Sequence, residues 1–334
     1  MNRRTFLGTS LAAASAAATP PRTQMGVATT SYLTVRRPRE TYEFLEYSNS
    51  LGAGGIQASL SSTDPAFLKK LRSRAEELGM YVEVMTGLPR NNDPAAFEQT
   101  VAAAKEAGAL CVRAAALGGR RYETFKSLTD WQRFITESKA AIDRALPIVE
   151  RHRIPLAIEN HKDWTAEEAV ALMKDKSSEW LGVCLDTGNN ISLLDDPMAL
   201  VEALAPYAVS THIKDMGVEP YANGFLLSEL PLGEGFLDTK RIVETIRKAR
   251  PKTRITLEMI TRNPLEVPCL TDAYWITFPD RSGIYLARTL RMVAGQHLRQ
   301  KLPRLDHLDR EAQLRLEEDN VKQCLHYART QLGL

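Results

Sequence analysis

Four ionisable side chains follow apolar segments along the chain. They are Glu159 after LAI, Asp186 after GVCL, His212 after AVST and Glu258 after ITL, at separations of 27, 26 and 46 residues. A charge at the end of a buried strand is costly unless a partner compensates it. Two glutamates, one aspartate and one histidine suit Mn²⁺, Co²⁺, Mg²⁺ or Zn²⁺. The pattern therefore predicts a site for one divalent cation, with Mn²⁺ as the first choice.

The segments before these residues belong to a repeating pattern over residues 24–300. Strand-like runs alternate with amphipathic, capped helix-like runs such as DPAFLKKLRSRAEELG. The strand-like runs are QMGVATTSYL, GIQASL, MYVEVMTG, ALCVRAAAL, IPLAIENH, LGVCLDTGNN, AVSTHIKD and TRITLEMI. Eight such units predict an α/β fold, a (β/α)8 TIM barrel, whose active residues lie at the C-terminal strand ends.

A doubly wound sheet is the alternative fold. It usually has a glycine-rich phosphate loop after its first strand, and the segment SYLTVRRP is not one. The glycines of LGAGGIQ end a helix and precede a strand, which is the wrong order for a dinucleotide fingerprint. The pattern therefore favours the barrel.

Three more polar residues are expected near the barrel mouth. His161 and Lys214 each lie two residues beyond a predicted ligand, so strand alternation places them on the same face. His161 is a candidate proton carrier, substrate donor or supporting hydrogen bonder. Lys214 is a candidate for neutralising an enediolate, with a salt bridge to a loop acid as the alternative. Arg113 interrupts an apolar strand and is expected to contact substrate or pair with an acid of the site.

Other candidates have weaker signals. Glu83 and Gln57 lie in strand-like runs and are expected to face the mouth, Glu83 as a substrate-binding residue. Trp164, Tyr32 and Trp275 have two possible roles, an apolar face for a sugar ring or core packing, and core packing is favoured for each.

Five motifs, IEN, LDTGN, THIKD, PLGEGFLD and LEM, resemble those of the xylose-isomerase-like TIM barrels, the sugar phosphate isomerase/epimerase family. The resemblance spans residues 24–300. It implies that Glu159, Asp186, His212 and Glu258 bind one divalent cation, and that the two glutamates also act as acid and base. The implied activity is isomerase or epimerase chemistry on unphosphorylated sugars or related polyols, by proton abstraction beside a carbonyl.

The chain departs from the family's sugar 3-epimerases at two places. They usually carry His after DTG, where this chain has Asn189, and Arg after the metal-binding His strand, where it reads DMGVEP. Asn189 can donate a hydrogen bond to a substrate oxygen, but it cannot shuttle a proton. Two alternatives therefore stay open, a lyase or hydratase acting on 3-keto sugars or 3-keto glycosides, and a non-catalytic sugar-binding barrel.

Charge and histidine content exclude other classes. The formal net charge is +2, which gives no electrostatic footprint for nucleic acid. An endonuclease-IV-like phosphodiesterase needs several metals and many histidines at the mouth of the barrel. Of the six histidines in this chain, only His161 and His212 lie at predicted strand ends. The expected partner is a small sugar, with a homo-oligomer as a further possibility.

The two ends of the chain have their own patterns. Residues 1–18 contain twin arginines and an alanine-rich run, which predict a twin-arginine signal peptide and no membrane segment after its removal. The protein is therefore expected to be periplasmic or otherwise exported through the twin-arginine pathway. Residues 301–334 predict a helical extension with an apolar stripe of Leu314, Val321, Leu325 and Ala328 that packs on the barrel or on another protein chain. The loop 261–283 is a candidate lid, and the four cysteines are expected to be buried thiols.

Overall fold

Eight parallel strands form the central sheet of the computed structural model, which describes residues 21–32, 40–90, 94–296 and 301–334. Hydrogen bonds from Ile213 N to Thr256 O (2.8 Å) and from Glu258 N to Ile213 O (3.2 Å) join its two edge strands and close the barrel. The predicted (β/α)8 barrel is confirmed, and the doubly wound sheet is excluded. In sheet order the strands are β10 (Thr256–Leu257), β1 (Gly26–Ala28), β2 (Gly55–Ala58), β3 (Tyr81–Met85), β4 (Val112–Ala115), β5 (Leu156–Glu159), β6 (Leu181–Asp186) and β7 (Ala208–His212).

Several helices begin at side-chain caps that the sequence predicts. Asp64 accepts hydrogen bonds from Ala66 N and Phe67 N, and Thr165 forms a capping box with Glu168. These caps fix where each helix leaves the preceding loop. The helices are α1 (Thr41–Ser50), α2 (Pro65–Leu78), α3 (Ala95–Glu106), α4 (Arg121–Thr124), α5 (Leu128–His152), α6 (Ala166–Lys176), α7 (Pro197–Leu204), α8 (Thr239–Ala249), α9 (Asp272–Trp275), α10 (Gly283–Gln296) and α11 (Arg310–Gln331).

A second, antiparallel sheet is the main departure from the sequence-based expectation. The predicted seventh strand ran to Asp215, but β7 ends at His212, and Asp215 begins β8 (Asp215–Tyr221). β8 pairs with β9 (Gly224–Leu230), and β9 pairs with β11 (Leu265–Val267). Asp215 ends the barrel strand because its carboxylate accepts hydrogen bonds from the backbone N–H groups of Gly233, Gly235 and Leu237.

The segment predicted as a lid packs into this second sheet. Val267, Cys269, Tyr274 and Phe278 are buried in an apolar cluster with Phe225 and its neighbours on the hairpin. Burial of that many apolar groups holds the segment in place without a ligand. The described residues of the segment therefore form a fixed layer over this side of the barrel.

Helix α11 belongs to the main core. Val321, Cys324, Leu325 and Ala328 are buried in the same apolar cluster as the barrel strands. The carbonyl of Leu334 also accepts a hydrogen bond from Thr23, which precedes β1. The described helix therefore packs on the barrel, which was one of the two predicted possibilities, the other being another protein chain.

Other expectations concern the cysteines and the chain ends. All four cysteines are buried and free, as predicted. The predicted signal peptide, residues 1–18, lies outside the described residues. Within the described part of the chain, no helix combines the length and the hydropathy needed to cross a membrane.

Candidate active site and metal centre

The four predicted metal ligands converge at the C-terminal mouth of the barrel. Glu159, Asp186 and His212 end β5, β6 and β7, and Glu258 directly follows β10. All four are buried, and one ligand atom from each lies within 4.8 Å of the others. His212 Nδ1 is 3.5 Å from Glu159 Oε1, 3.6 Å from Asp186 Oδ2 and 3.5 Å from Glu258 Oε1. These nearly equal distances surround a space that could hold one metal ion.

The orientation of His212 suits metal binding. Its Nε2 is 2.7 Å from the amide oxygen of Gln57, which can only accept, so Nε2 carries a proton. Nδ1 therefore faces the three carboxylates, where it is buried without a hydrogen-bond partner. Burial opposes a second proton on the ring, but the charges of Cys184 and Glu258 raise the pKa of His212 to about 10, so a bound cation would displace the proton from Nδ1. One imidazole nitrogen and three carboxylate oxygens form a donor set that fits a divalent cation.

Glu83 lies behind this site, and its predicted contact with substrate is corrected. Its Oε2 accepts hydrogen bonds from Gln57 Nε2 at 2.9 Å and Ser210 Oγ at 2.6 Å, and burial raises its pKa. Gln57 and Glu83 are register partners of β2 and β3, and Glu83 lies two residues before the end of its strand. It therefore orients Gln57, and through it His212, one layer below the mouth.

Replacing Gln57 by Leu is expected to weaken Mn²⁺ binding about ten- to hundredfold, because such supporting bonds fix the tautomer and direction of a ligating imidazole. Isothermal titration of the metal-free protein with Mn²⁺ measures the effect. Gln132→Leu, at an exposed position of α5, is the matched control. An unchanged affinity in the Gln57→Leu variant would show that Gln57 does not orient His212.

Lys214 lies among the acids of the site. Its Nζ is 2.5 Å from Glu258 Oε2, 3.0 Å from Asp186 Oδ2 and 3.6 Å from Glu229 Oε1. Burial opposes its charge, but these carboxylates raise the pKa of Lys214 above its usual value. Burial also opposes the charge of Asp186, yet the charges of Lys214 and His212 lower the pKa of Asp186 to about 2. Lys214 therefore pairs with acids of the candidate site, whereas the predicted alternative was a salt bridge to an acid in a loop.

Arg113 and Asn189 hold Glu159 from two sides. The Arg113 guanidinium contacts Glu159 Oε2, and Asn189 Nδ2 donates to Glu159 Oε1 at 3.1 Å. The DTGN motif also directs Asp186, whose Oδ1 accepts hydrogen bonds from Gly188 N at 2.9 Å and Asn189 N at 2.7 Å. Asp186 Oδ2 is thereby left facing the cluster. Arg113 and Asn189, two of the predicted substrate-binding residues, therefore lie against the predicted metal ligand Glu159.

His161 is held as a neutral ring. Its Nδ1 lies 2.8 Å from the carbonyl oxygen of Leu117, so this nitrogen carries the proton. Burial, together with the charges of Lys162 and Arg113, lowers the pKa of His161 to about 3. This environment argues against the predicted role as a proton carrier and leaves Nε2 as a hydrogen-bond acceptor.

Lys162 is a site residue that sequence analysis did not identify. It adopts a left-handed conformation with φ of 60°, its side chain is 4% exposed, and its Nζ donates to Asn189 Oδ1. Burial, then the charges of Lys214 and Arg262, lowers its pKa to about 7. The sequence ENHKDW places it after the predicted ligand, but nothing in the pattern indicates that the chain turns there and buries an ammonium group.

The low pKa of Lys162 has a consequence for stability. The unfolded chain holds a proton on this lysine up to about pH 10.4, whereas the folded protein releases it near pH 7, so its contribution to stability rises with pH between these values. We compare the free energy of unfolding of the metal-free wild type with that of Lys162→Met. The difference, wild type minus variant, is expected to increase by about 2 kcal/mol between about pH 7 and about pH 9. Urea denaturation measures both proteins. A constant difference would contradict the prediction, and Lys69→Met, at an exposed site, is the control.

Two of the aromatic candidates, Trp164 and Tyr32, are buried, and the third, Trp275, is half-buried. Trp164 lies against Trp131 and Phe134, and Tyr32 lies edge-on to Phe44 and Tyr47. Trp275 packs against two aromatic rings of its own segment and donates Nε1–H to the carbonyl of Cys269. Core packing, the favoured alternative, accounts for all three.

Comparison with known proteins identifies the family. The model of the xylose isomerase-like TIM barrel family matches residues 45–277. The chain belongs to this family. Its barrel and its cluster of three acids and one histidine are therefore those of a xylose isomerase-like protein, and the relatives below indicate an enzyme.

Two curated relatives have sequence similarity to this xylose isomerase-like barrel. The 3-oxo-isoapionate decarboxylase of Pectobacterium atrosepticum is 30% identical over 220 residues, which are 64% of this chain and 75% of that protein. The uncharacterized protein YihM of Escherichia coli is 25% identical over 189 residues, 57% of this chain and 54% of that protein.

Solved structures share the fold at low identity. A D-psicose 3-epimerase determined with D-fructose has 17% identity and a TM-score of 0.56, covering 81% of this chain and 96% of that one. The 3-keto-D-glucoside 4-epimerase YcjR of E. coli has 13% identity and a TM-score of 0.55, covering 82% and 100%. The IOLI protein with a bound zinc atom has 15% identity and a TM-score of 0.54, covering 81% and 98%. At these identities the likeness shows the fold alone.

Proposed function

We propose that this protein is a divalent-metal-dependent isomerase or epimerase of unphosphorylated sugars or related polyols, with Mn²⁺ as its first-choice metal. The observation that carries the proposal is the buried nitrogen Nδ1 of His212, which has no hydrogen-bond partner and faces three carboxylates at nearly equal distances. Glu159, Asp186, His212 and Glu258 would hold the cation. When bound, it would polarise a substrate carbonyl and stabilise negative charge on its oxygen.

The protein's own groups supply the rest of the proposed chemistry. Strands β5 and β10 lie three positions apart in an eight-stranded barrel, so Glu159 and Glu258 approach the centre from nearly opposite sides. One takes a proton from the carbon beside the carbonyl, and the other returns it. Lys214, 2.5 Å from Glu258, compensates charge as it develops. The neutral His161 accepts a hydrogen bond from a substrate hydroxyl. Asp186 and His212 serve as ligands only.

Two measurements test this proposal in sequence. Mn²⁺ titration of the metal-free protein must first show one bound ion per chain. The metal-loaded protein is then incubated in D₂O with ketoses, aldoses and 3-keto glucosides while C–H signals are followed by NMR. Deuterium uptake beside a carbonyl, with a new sugar appearing, is the expected result. Metal binding without exchange on any sugar would count against the isomerase and favour a sugar-binding barrel.

A second candidate reaction is cleavage of a bond next to the same carbonyl. The observation that favours it is the 30% identity to a 3-oxo-isoapionate decarboxylase. In decarboxylation of a 3-oxo acid, the carbon–carbon bond to the carboxylate breaks and carbon dioxide leaves. The electron pair of the broken bond stays on the substrate and forms an enolate, which then takes up a proton. A lyase or hydratase acting on 3-keto sugars would start from the same enolate. With a 3-oxo acid added to the substrates, the D₂O experiment would report decarboxylation as loss of carbon dioxide with deuterium at the carbon that carried it, and elimination as exchange with loss of a leaving group.

The predicted export agrees with unphosphorylated substrates, because sugar phosphates are chiefly cytoplasmic. Periplasmic location stays a proposal that rests on residues 1–18. Its test is fractionation of cells that produce the full chain and of cells that produce a variant with both Arg3 and Arg4 changed to Lys.

A further inference from the structure

Lys162 is a buried lysine that forms no ion pair with an acid. The residue is 4% exposed, and its Nζ donates to the neutral amide oxygen of Asn189. None of the ion pairs formed among residues 21–32, 40–90, 94–296 and 301–334 includes Lys162. Burial without a counter-ion disfavours the charged form of a lysine, and a bound anion would restore it. The position therefore calls for an anion that the protein itself does not supply.

The backbone around Lys162 is built to keep it there. Its φ of 60° is unfavourable for a residue with a β-carbon. The next residue, Asp163, fixes the turn, because its carboxylate accepts hydrogen bonds from His161 N at 3.0 Å, Trp164 N at 2.8 Å and Leu117 N at 3.2 Å. A strained conformation that its surroundings hold in place is typical of functional sites.

A second lysine meets Lys162 at the same atom. Lys214 Nζ is 3.2 Å from Asn189 Oδ1, the oxygen that accepts from Lys162. Asn189 Nδ2 lies on the other side and donates to the predicted ligand Glu159. Two lysine nitrogens thus converge on one neutral oxygen directly beside the predicted metal centre. A carboxylate has two oxygens and a negative charge, so it is a better acceptor for this pair than an amide.

The charge balance of the site points the same way. The connected contacts around the cluster join four acidic side chains to four basic ones, apart from His212, which would be a neutral ligand of a bound metal. A bound divalent ion would leave a surplus of positive charge, which a neutral sugar could not offset and an anionic substrate could. The acidic members are Glu159, Asp186, Glu229 and Glu258, and the basic members are Arg113, Lys162, Lys214 and Arg262.

We propose that Lys162 and Lys214 together bind a carboxylate group of the substrate, and that the substrate class is therefore sugar-derived keto acids rather than neutral sugars. The inference rests on the proposed function for the metal centre, but it concerns binding and holds for either candidate reaction. Lys162 is the specificity-determining residue, because Lys214 already has the carboxylates of Asp186 and Glu258 as partners.

Matched pairs of acids and polyols test the proposal. Isothermal titration of the Mn²⁺-loaded full chain compares L-threonate with L-threitol and D-gluconate with D-glucitol, since each pair differs mainly in the carboxylate. We expect at least one acid to bind about tenfold or more tightly than its polyol, as charge-assisted hydrogen bonds contribute about 1.5–3 kcal/mol. Lys162→Met should remove about tenfold of this preference and leave the affinity for Mn²⁺ unchanged. Lys162→Arg should retain part of it, and Lys69→Met should change nothing.

The outcomes separate this inference from the proposed function. If the metal-loaded wild type binds each acid no better than its polyol, or binds neither, the substrate class is wrong while the metal centre stands. If Lys162→Met weakens acids and polyols equally, Lys162 has only a structural role. If wild type binds no Mn²⁺, the proposed function itself fails. The wild-type comparison needs no variant, so misfolding of Lys162→Met would not remove the test.

Discussion

Replacing His212 by Ala is expected to lower the affinity for Mn²⁺ by about a hundredfold or more. The variant loses the single nitrogen ligand that faces Glu159, Asp186 and Glu258. The binding free energy of a structural four-ligand metal site is about 10–16 kcal/mol, so the loss of one ligand is expected to cost about 3 kcal/mol. Isothermal titration with Mn²⁺ and elemental analysis of the dialysed protein measure the change. Deuterium exchange of any active substrate should disappear with it.

The control for this experiment is His307→Ala, at an exposed position outside the barrel mouth. It should bind Mn²⁺ as wild type does. Equal affinities of wild type and His212→Ala would mean that the cluster is a network of hydrogen bonds and ion pairs without a metal, and the proposed enzyme mechanism would be withdrawn.

Replacing Lys214 by Met is expected to destabilise the metal-free protein by about 3–5 kcal/mol, because the variant leaves buried carboxylates of Asp186 and Glu258 without their main cation. The loss should be smaller when Mn²⁺ is bound, since the ion compensates the same carboxylates. Urea denaturation with and without Mn²⁺ measures both values, provided that each transition is two-state.

The comparison of the two states is the decisive part of the Lys214 experiment. A loss of equal size with and without Mn²⁺ would show that Lys214 stabilises the fold independently of the metal centre. Lys69→Met, at an exposed position on α2, controls for removing a lysine from the surface and should change neither value appreciably.

The proposed isomerase and the decarboxylase alternative place the same demands on most of the site. Both form a negative charge on a carbonyl oxygen, and both then add a proton to the neighbouring carbon. They differ in what leaves that carbon, a proton or carbon dioxide. Binding of a carboxylate at Lys162 and Lys214 would narrow the substrate class without deciding between them, and the D₂O experiment decides the outcome.

The sequence by itself determined the barrel and its four candidate ligands. Each depends on short-range patterns, because apolar strands recur at the spacing of one strand and one helix, and each ligand follows its own strand directly. Parallel strands in a barrel end at the same edge. Glu159, Asp186, His212 and Glu258 could therefore be brought together from their positions in the sequence alone. The cap of α6 at Thr165 is equally local, and the structure has it.

Only the tertiary structure decided how these residues are supported. Gln57 contacts His212 although 155 positions separate them in the chain. Glu83, which was predicted to bind substrate, accepts a hydrogen bond from Gln57. Lys162 reaches the site through a left-handed backbone conformation that residue type does not predict. Such contacts depend on which side chains meet after the barrel closes, and neither periodicity nor spacing contains that information. For this reason the four candidate metal ligands could be identified in the sequence, while the candidate carboxylate site appeared only in the folded protein.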